Sequence, residues 1–209
     1  MPEPLHLSDE DLVIWRDLDR RHRKSLLSPS PDNPDEWGSH KGVLRELASL
    51  ANVKRVVEFG SGKYSTKLLL NLDIEQLISF EVDADWYERL LRGTDYLETE
   101  KWVPVYTPSL DVQLELIPWI ARTAQMVFVD THTAHRVFLM RELMRHSAAL
   151  LIAHDWNIGY YETLVIPKQY SLSVFAHHVT SRQTAVLHLE PLPTSLKPDD
   201  NLLIMSSTS

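Results

Sequence analysis

The chain has 209 residues, 44% of them hydrophobic, with 29 acidic against 21 basic side chains and a formal charge of −8, which suits a single core with room for an appendage. The negative balance argues against binding nucleic acid or an anionic membrane, and the lack of cysteine removes disulfides, thiolate nucleophiles and cysteine-held zinc. No apolar run approaches the ~18 residues of a membrane span and Met1-Pro2-Glu3-Pro4 does not read as a signal peptide, so a cytoplasmic protein is expected.

Residues 1–52 read as a helical cap with a hinge. Ser8-Asp9-Glu10-Asp11 is a capping box that opens a helix. Leu12, Trp15, Leu18, His22 and Leu26 follow at spacings of three and four along one face. Such an apolar face serves either a core or a second copy of the chain, so a homo-oligomer stays open. The cationic run Arg20-Arg21-His22-Arg23-Lys24 suits a helix C-terminus. Ser28 to Asp35 is too rich in proline and short polar residues for regular structure. A second helix is expected from His40 to Ala51, with Val43, Leu44, Leu47 and Leu50 on one side.

From residue 53 to 190 the pattern becomes short apolar runs alternating with amphipathic stretches. Strands are expected at Val53–Phe59, Gln76–Glu81, Trp102–Tyr106, Gln125–Asp130 and Ala149–His154, with Pro104 putting the third at a sheet edge. Helices are expected at Ser65–Leu72, Ala84–Leu91, Gln113–Ala121 (limited by Pro118) and Thr133–His146. Runs this apolar suit a parallel sheet covered on both faces, that is, a Rossmann-like, doubly wound α/β fold. Ser171–Ala176 and Thr184–Leu189 are too close for a crossover and should pair antiparallel, which makes seven strands. Residues 191–209 read as a polar C-terminal tail apart from Leu202-Leu203-Ile204-Met205.

In such a sheet, ligands bind beyond the carboxyl ends of the strands, where the strand order reverses. Strand one ends in Glu58-Phe59-Gly60-Ser61-Gly62-Lys63-Tyr64-Ser65-Thr66. Its glycines allow a tight turn and close approach of a ligand, and the next helix offers free N–H groups to an anion. Glu58 closes an otherwise apolar strand and needs a cationic or N–H-bearing partner. Glu81 ends strand two, 21 positions after Gly60, the spacing of an acid that binds ribose hydroxyls. Asp83 and Asp85 suit the cap of the following helix.

These features alone fit a nicotinamide dehydrogenase or an S-adenosylmethionine (SAM) enzyme. Ser65 in place of the third small residue of G-x-G-x-x-G, Glu58 before the glycines, and the terminal antiparallel pair favour SAM.

From Val53 to Glu190 the chain resembles the class I SAM-dependent methyltransferases. The resemblance rests on Val57-Glu58-Phe59-Gly60-Ser61-Gly62, on Ile78 to Tyr87, on Val127-Phe128-Val129-Asp130 and on Ile152-Ala153-His154-Asp155-Trp156. The last two segments are similar to those of small-molecule and sugar O-methyltransferases. The resemblance implies that Glu58, Gly60, Ser61, Gly62, Tyr64, Ser65, Glu81 and Asp130 bind the cofactor. It departs from the family where Tyr64 replaces a glycine, where Thr131 follows Asp130, and where Ser147-Ala148-Ala149 precedes strand five.

Methyl transfer from a sulfonium needs in-line positioning and removal of the acceptor's proton. His132, His154 and Asp155 stand where an acceptor would meet the methyl group, with His135 nearby, and imidazole titrates in the right range. A branch of the family holds Mg²⁺ on strand-end carboxylates, which by that resemblance would be Asp130 and Asp155. Trp37-Gly38-Ser39-His40 could close over the site, and Tyr160 and Tyr161 could wall it. The expected activity is O-methylation of a small polar acceptor such as a sugar or natural-product hydroxyl. A non-catalytic SAM-binding or interaction module is the competing reading.

Overall fold

The computed structural model describes residues 7–26, 39–62, 64–92, 99–147, 149–157, 159, 161–177, 182–192 and 202–207. Six helices are described: α1 (Asp9–Leu26), α2 (Lys41–Leu50), α3 (Ser65–Leu70), α4 (Ala84–Arg92), α5 (Leu110–Thr123) and α6 (Thr133–His146). The strands are β1 (Arg55–Phe59), β2 (Gln76–Glu81), β3 (Trp102–Tyr106), β4 (Met126–Val129), β5 (Leu150–His154), β6 (Ser171–His177), β7 (Gln183–His188) and β8 (Leu202–Ser207). They form one sheet in the order β3-β2-β1-β4-β5-β7-β6-β8.

Strands β1 to β5 are parallel, and β7 joins β5 antiparallel. The seven expected strands are all present, with β3 at an edge as Pro104 requires. An eighth, β8, pairs antiparallel with β6 and draws 202–207 of the expected tail into the sheet.

Alternation along the strands assigns the layers. Val57, Phe59, Val127, Val129, Leu151 and Ala153 pack with α5, α6 and Leu18 of α1. Val56, Leu77, Met126, Phe128 and Ile152 pack on the other face with α2, Leu69 of α3 and Leu90 of α4. Both faces of the sheet are therefore covered, which explains the continuous apolar runs. No described helix is long and apolar enough to cross a membrane.

Local chemistry sets the helix ends. The amide of Asp11 donates to Ser8 Oγ at 3.1 Å and the Ser8 amide to Asp11 Oδ2 at 3.2 Å, so the expected capping box forms. Asp83 Oδ1 accepts from the Trp86 amide at 2.8 Å at the start of α4. Helix α5 runs through Pro118 from an N-cap at Ser109, longer than the proline suggested. Burial of Leu114, Ile117 and Ile120, about 1.5–3 kcal/mol each, outweighs the roughly 3 kcal/mol cost of an interior proline.

The strand order reverses between β1 and β4. The ends of β1, β2, β4 and β5 meet there.

Candidate active site

The first half of the site is the turn after β1. Gly60 has φ +89°, and a Cβ there would lie 2.3 Å from the carbonyl oxygen of Asp130. The turn can pass the end of β4 only without a side chain. At Gly62 the nearest atom to a Cβ would be Ser65 Oγ at 3.5 Å, ordinary contact, so packing does not require that glycine. The Gly62 amide donates to Thr66 Oγ1 at 2.9 Å, and the Thr66 hydroxyl donates to Glu58 Oε2 at 2.7 Å.

Glu58 is fully buried. Its Oε2 also accepts from Ser79 Oγ at 2.8 Å, because the parallel register sets Ser79 beside it. Oε1 has no hydrogen-bond partner among the described residues. Burial pushes the carboxyl up to about 7, against the pull of the Ser65, Thr66 and Ser79 hydroxyls. Ser65 thus faces the carboxyl without closing a well-formed hydrogen bond.

Glu81 lies next to this turn. Its Oε2 accepts from Ser61 Oγ at 3.1 Å, and its Oε1 accepts from the amides of Val82 and Asp83 at 2.8 and 3.0 Å. Burial raises its pKa despite those donors. Trp86 Nε1 donates to the Ser61 carbonyl at 2.7 Å and pins the turn to α4. Tyr64 stands at the N-cap of α3 with the Lys41 ammonium 5.3 Å from its ring centroid. Helix α3 has only six residues, so few aligned peptide dipoles face an anion there.

The second half of the site lies at the ends of β4 and β5. His154 is 3% exposed. Its Nδ1 is 3.1 Å from Asp130 Oδ2, close enough for an ion pair but poorly aligned for a hydrogen bond. Its Nε2 is 2.9 Å from Ser39 Oγ. Burial opposes the imidazolium, yet Asp130 and Asp155 outweigh it and the pKa is raised. Asp130 is held well below the carboxylate range, because His154 and Arg136 overcome the cost of its burial. Tyr161, stacked on Trp156, donates from its hydroxyl to the His154 carbonyl at 3.3 Å.

Arg136 of α6 ties the two strand ends together, and the sequence reading had missed it. It reaches Asp130 Oδ1 at 2.7 Å and Asp155 Oδ2 at 3.2 Å. It also donates to the carbonyls of Thr131 (2.7 Å) and His154 (3.2 Å). Helix α6 is buried on nearly all sides, and a charge in such a helix must be paired. That signal could have found Arg136. Asp155 adopts φ +57°, a conformation that Asp tolerates better than most residues; its Oδ1 is 2.9 Å from Arg182.

The expected residues thus fall into two groups. Glu58, Gly60, Ser61, Gly62, Tyr64, Ser65 and Glu81 line or support the turn, and Asp130, His154 and Asp155 form a charged cluster beside it. His132 caps α6: its ring accepts from the Ala134 amide at 3.3 Å and lies 5.0 Å from the His135 ring. Trp37, Gly38 and Tyr160 lie outside the described residues.

The magnesium expectation at Asp130 and Asp155 does not fit this geometry, because a guanidinium stands between the two carboxylates. His40, Asp130 and His154 do bring three potential ligand atoms within 4.8 Å of one another. His40 is buried with both ring nitrogens unpartnered among the described residues, and burial holds its pKa down to about 3. Two imidazoles and one carboxylate are not the oxygen cage that Mg²⁺ requires.

No protein-family model and no curated protein matches the sequence. Solved structures do. The O-methyltransferase TomG from Streptomyces achromogenes, involved in tomaymycin synthesis and solved with SAM, is 16% identical, with 90% of this chain and 99% of that one covered at TM-score 0.55. An O-methyltransferase from Bacillus cereus in complex with SAH, the demethylated cofactor, is 11% identical over 84% and 89% of the two chains at TM-score 0.55. Spermidine synthase from Thermotoga maritima also matches, at 12% identity, 75% and 60% coverage and TM-score 0.53. The chain therefore has the Rossmann-like fold of the class I methyltransferases. These identities establish architecture and leave the reaction to the site.

Proposed function

We propose that the protein is a SAM-dependent methyltransferase acting on oxygen of a small polar acceptor, such as a sugar or natural-product hydroxyl. The observation that carries this reading is Glu58 Oε1, a buried carboxylate oxygen left without a donor among the described residues, beside a turn whose glycine has no room for a side chain. An unpaired oxygen of this kind is costly, and an ammonium-bearing ligand would satisfy it. Neighbouring Glu81 uses one hydroxyl and two amides and keeps one lone-pair site of its carboxylate for a ribose hydroxyl. The cofactor, when bound, supplies an activated methyl group.

The chain's own residues then have three tasks. Glu58, Gly60, Gly62 and Ser65 receive the methionine end, and Glu81 with Ser61 receives the ribose. His154 takes the acceptor's proton through Nε2, the nitrogen that Ser39 Oγ faces. Asp130 orients the ring from Nδ1 and makes it the stronger base. An acceptor hydroxyl would take the place at Nε2 that Ser39 Oγ holds.

Calorimetry with SAH is the direct test. Wild-type protein is expected to bind in the micromolar range, and Gly60→Val and Glu81→Ala to lose that binding. Wild-type protein that gives no heat with either SAM or SAH would falsify the reading. Transfer of a labelled methyl group to acceptors in an extract then separates an enzyme from a SAM-binding module.

A further inference from the structure

We infer that Arg136 is the site's built-in cation: its guanidinium holds the place between Asp130 and Asp155 that a divalent ion would need, so this carboxylate pair positions the acceptor without a metal. The word acceptor rests on the methyl-transfer reading above; the exclusion of metal from the carboxylate pair does not.

All four carboxylate oxygens already face cationic or ionisable nitrogen. Asp130 Oδ1 takes Arg136 Nη2 at 2.7 Å and Oδ2 faces His154 Nδ1 at 3.1 Å. Asp155 Oδ2 takes Arg136 Nη1 at 3.2 Å and Oδ1 takes Arg182 Nη1 at 2.9 Å. Two carboxylates and two guanidiniums balance before any proton on His154 is counted. A divalent ion would arrive as uncompensated charge in a largely desolvated place, where like charges repel strongly.

Arg136 is itself buried and donates to two backbone carbonyls as well as both carboxylates, so it cannot swing aside without leaving those acceptors empty. Its planar fork suits this bridging, and it stays charged at every working pH. Arg136 is thus a positioning residue: it fixes Asp130, and through Asp130 the ring of His154. A chelator cannot remove it.

The test is a Mn²⁺ titration of the chelated full-length protein, followed by paramagnetic resonance of the free ion, with Zn²⁺ and SAH titrated in parallel by calorimetry. Wild type is expected to leave Mn²⁺ free up to millimolar concentration. Arg136→Ala exposes the two acids to each other and is expected to gain a Mn²⁺ site and to recover, on adding Mn²⁺ or Mg²⁺, part of its lost thermal stability. Arg136→Lys is expected to stay metal-free. A merely structural arginine would not confer metal binding on its own deletion. Stoichiometric Mn²⁺ or Zn²⁺ on wild type overturns the proposal, as does a folded Arg136→Ala that stays blind to Mn²⁺. If that variant does not fold, the wild-type titrations decide. Absent SAH binding sinks the methyl-transfer reading and leaves the metal result intact.

Discussion

A side chain at residue 60 would collide with the backbone of Asp130, the nearest carbonyl oxygen lying 2.3 Å from where its Cβ must be, whereas residue 62 has room for one. The two glycines of the turn therefore have different duties. Gly60→Ala combines a positive φ with a clash against backbone and is expected to cost about 3 kcal/mol or more in folding. Gly62→Ala is expected to stay within about 1 kcal/mol of wild type while weakening SAH binding, because its lost space faces the ligand. Denaturant melts paired with calorimetry check both. A Gly62→Ala protein that binds SAH normally would show that this glycine only makes the turn.

Glu58 sets stability against binding. Its folded pKa is about 7 against an ordinary 4.5, so the native state binds more protons than the unfolded one between those values. Its contribution to stability is therefore fully present below pH 4.5 and is lost as pH rises through 7, by on the order of 3 kcal/mol. Glu58→Gln keeps an acceptor for Thr66 and Ser79 but cannot ionise. The variant is expected to flatten this slope, gain stability at pH 8 relative to wild type, and bind SAH poorly. Wild-type binding near pH 7 should release about half a proton, rising toward one near pH 6, read as a buffer-dependent heat. An equally steep slope in the variant would place the titration elsewhere.

The strands and the acids that close them were legible because both follow from local pattern. Continuous apolar runs reveal a doubly covered sheet, and Glu58, Glu81, Asp130 and Asp155 stand out as polar ends of those runs. Arg136 was not legible in the same way, since its partners lie six residues back just past β4 and 19 residues ahead just past β5, and only the tertiary fold brings them together. Ser39 and His40 were expected near the site as part of a hinge, but their meeting with His154 spans 115 and 114 residues and leaves no periodic trace. Strand β8 was hidden because a run of four apolar residues in a polar tail does not announce a partner.

The His154–Asp130 pair makes a prediction about pH. The raised pKa of His154 means that its contribution to stability is fully present below the unfolded value, about 6.5, and is lost as pH rises through the folded value. Proton removal from an acceptor needs the neutral ring, so methyl transfer should rise over that same upper range. Asp130→Asn removes the charge that holds the proton. Its His154 resonance is expected to titrate at lower pH, with the activity profile shifted alongside it. A profile that stays put while the resonance moves would take His154 out of the reaction. The variant also strands Arg136 and should lose about 3 kcal/mol or more of stability, so it is best measured well below its melting temperature.

Helix α1 is held to α6 by a polar contact beside its apolar face. Arg141 of α6 reaches Asp11 through Nη1–Oδ1 at 2.5 Å and Nη2–Oδ2 at 3.0 Å, a bidentate pair, while the same Asp11 accepts from the Ser8 amide. Hydrogen bonds from Arg141 hold the Asp11 pKa below its ordinary value, against partial burial. This stabilisation is present above the unfolded pKa of about 3.9 and is lost as pH falls through the lower folded value. Arg141→Met keeps most of the packing volume and is expected to cost about 1 kcal/mol at pH 7, with the cost vanishing in acid. Asp11→Ala removes the capping box as well and should cost about 1 kcal/mol more. Hydrogen exchange locates the effect: the amides of α1 should exchange faster in both variants while those of β1, β4 and β5 keep their protection. Equal acceleration across helix and sheet would mean that α1 unfolds only with the whole molecule and that the pair is no independent latch.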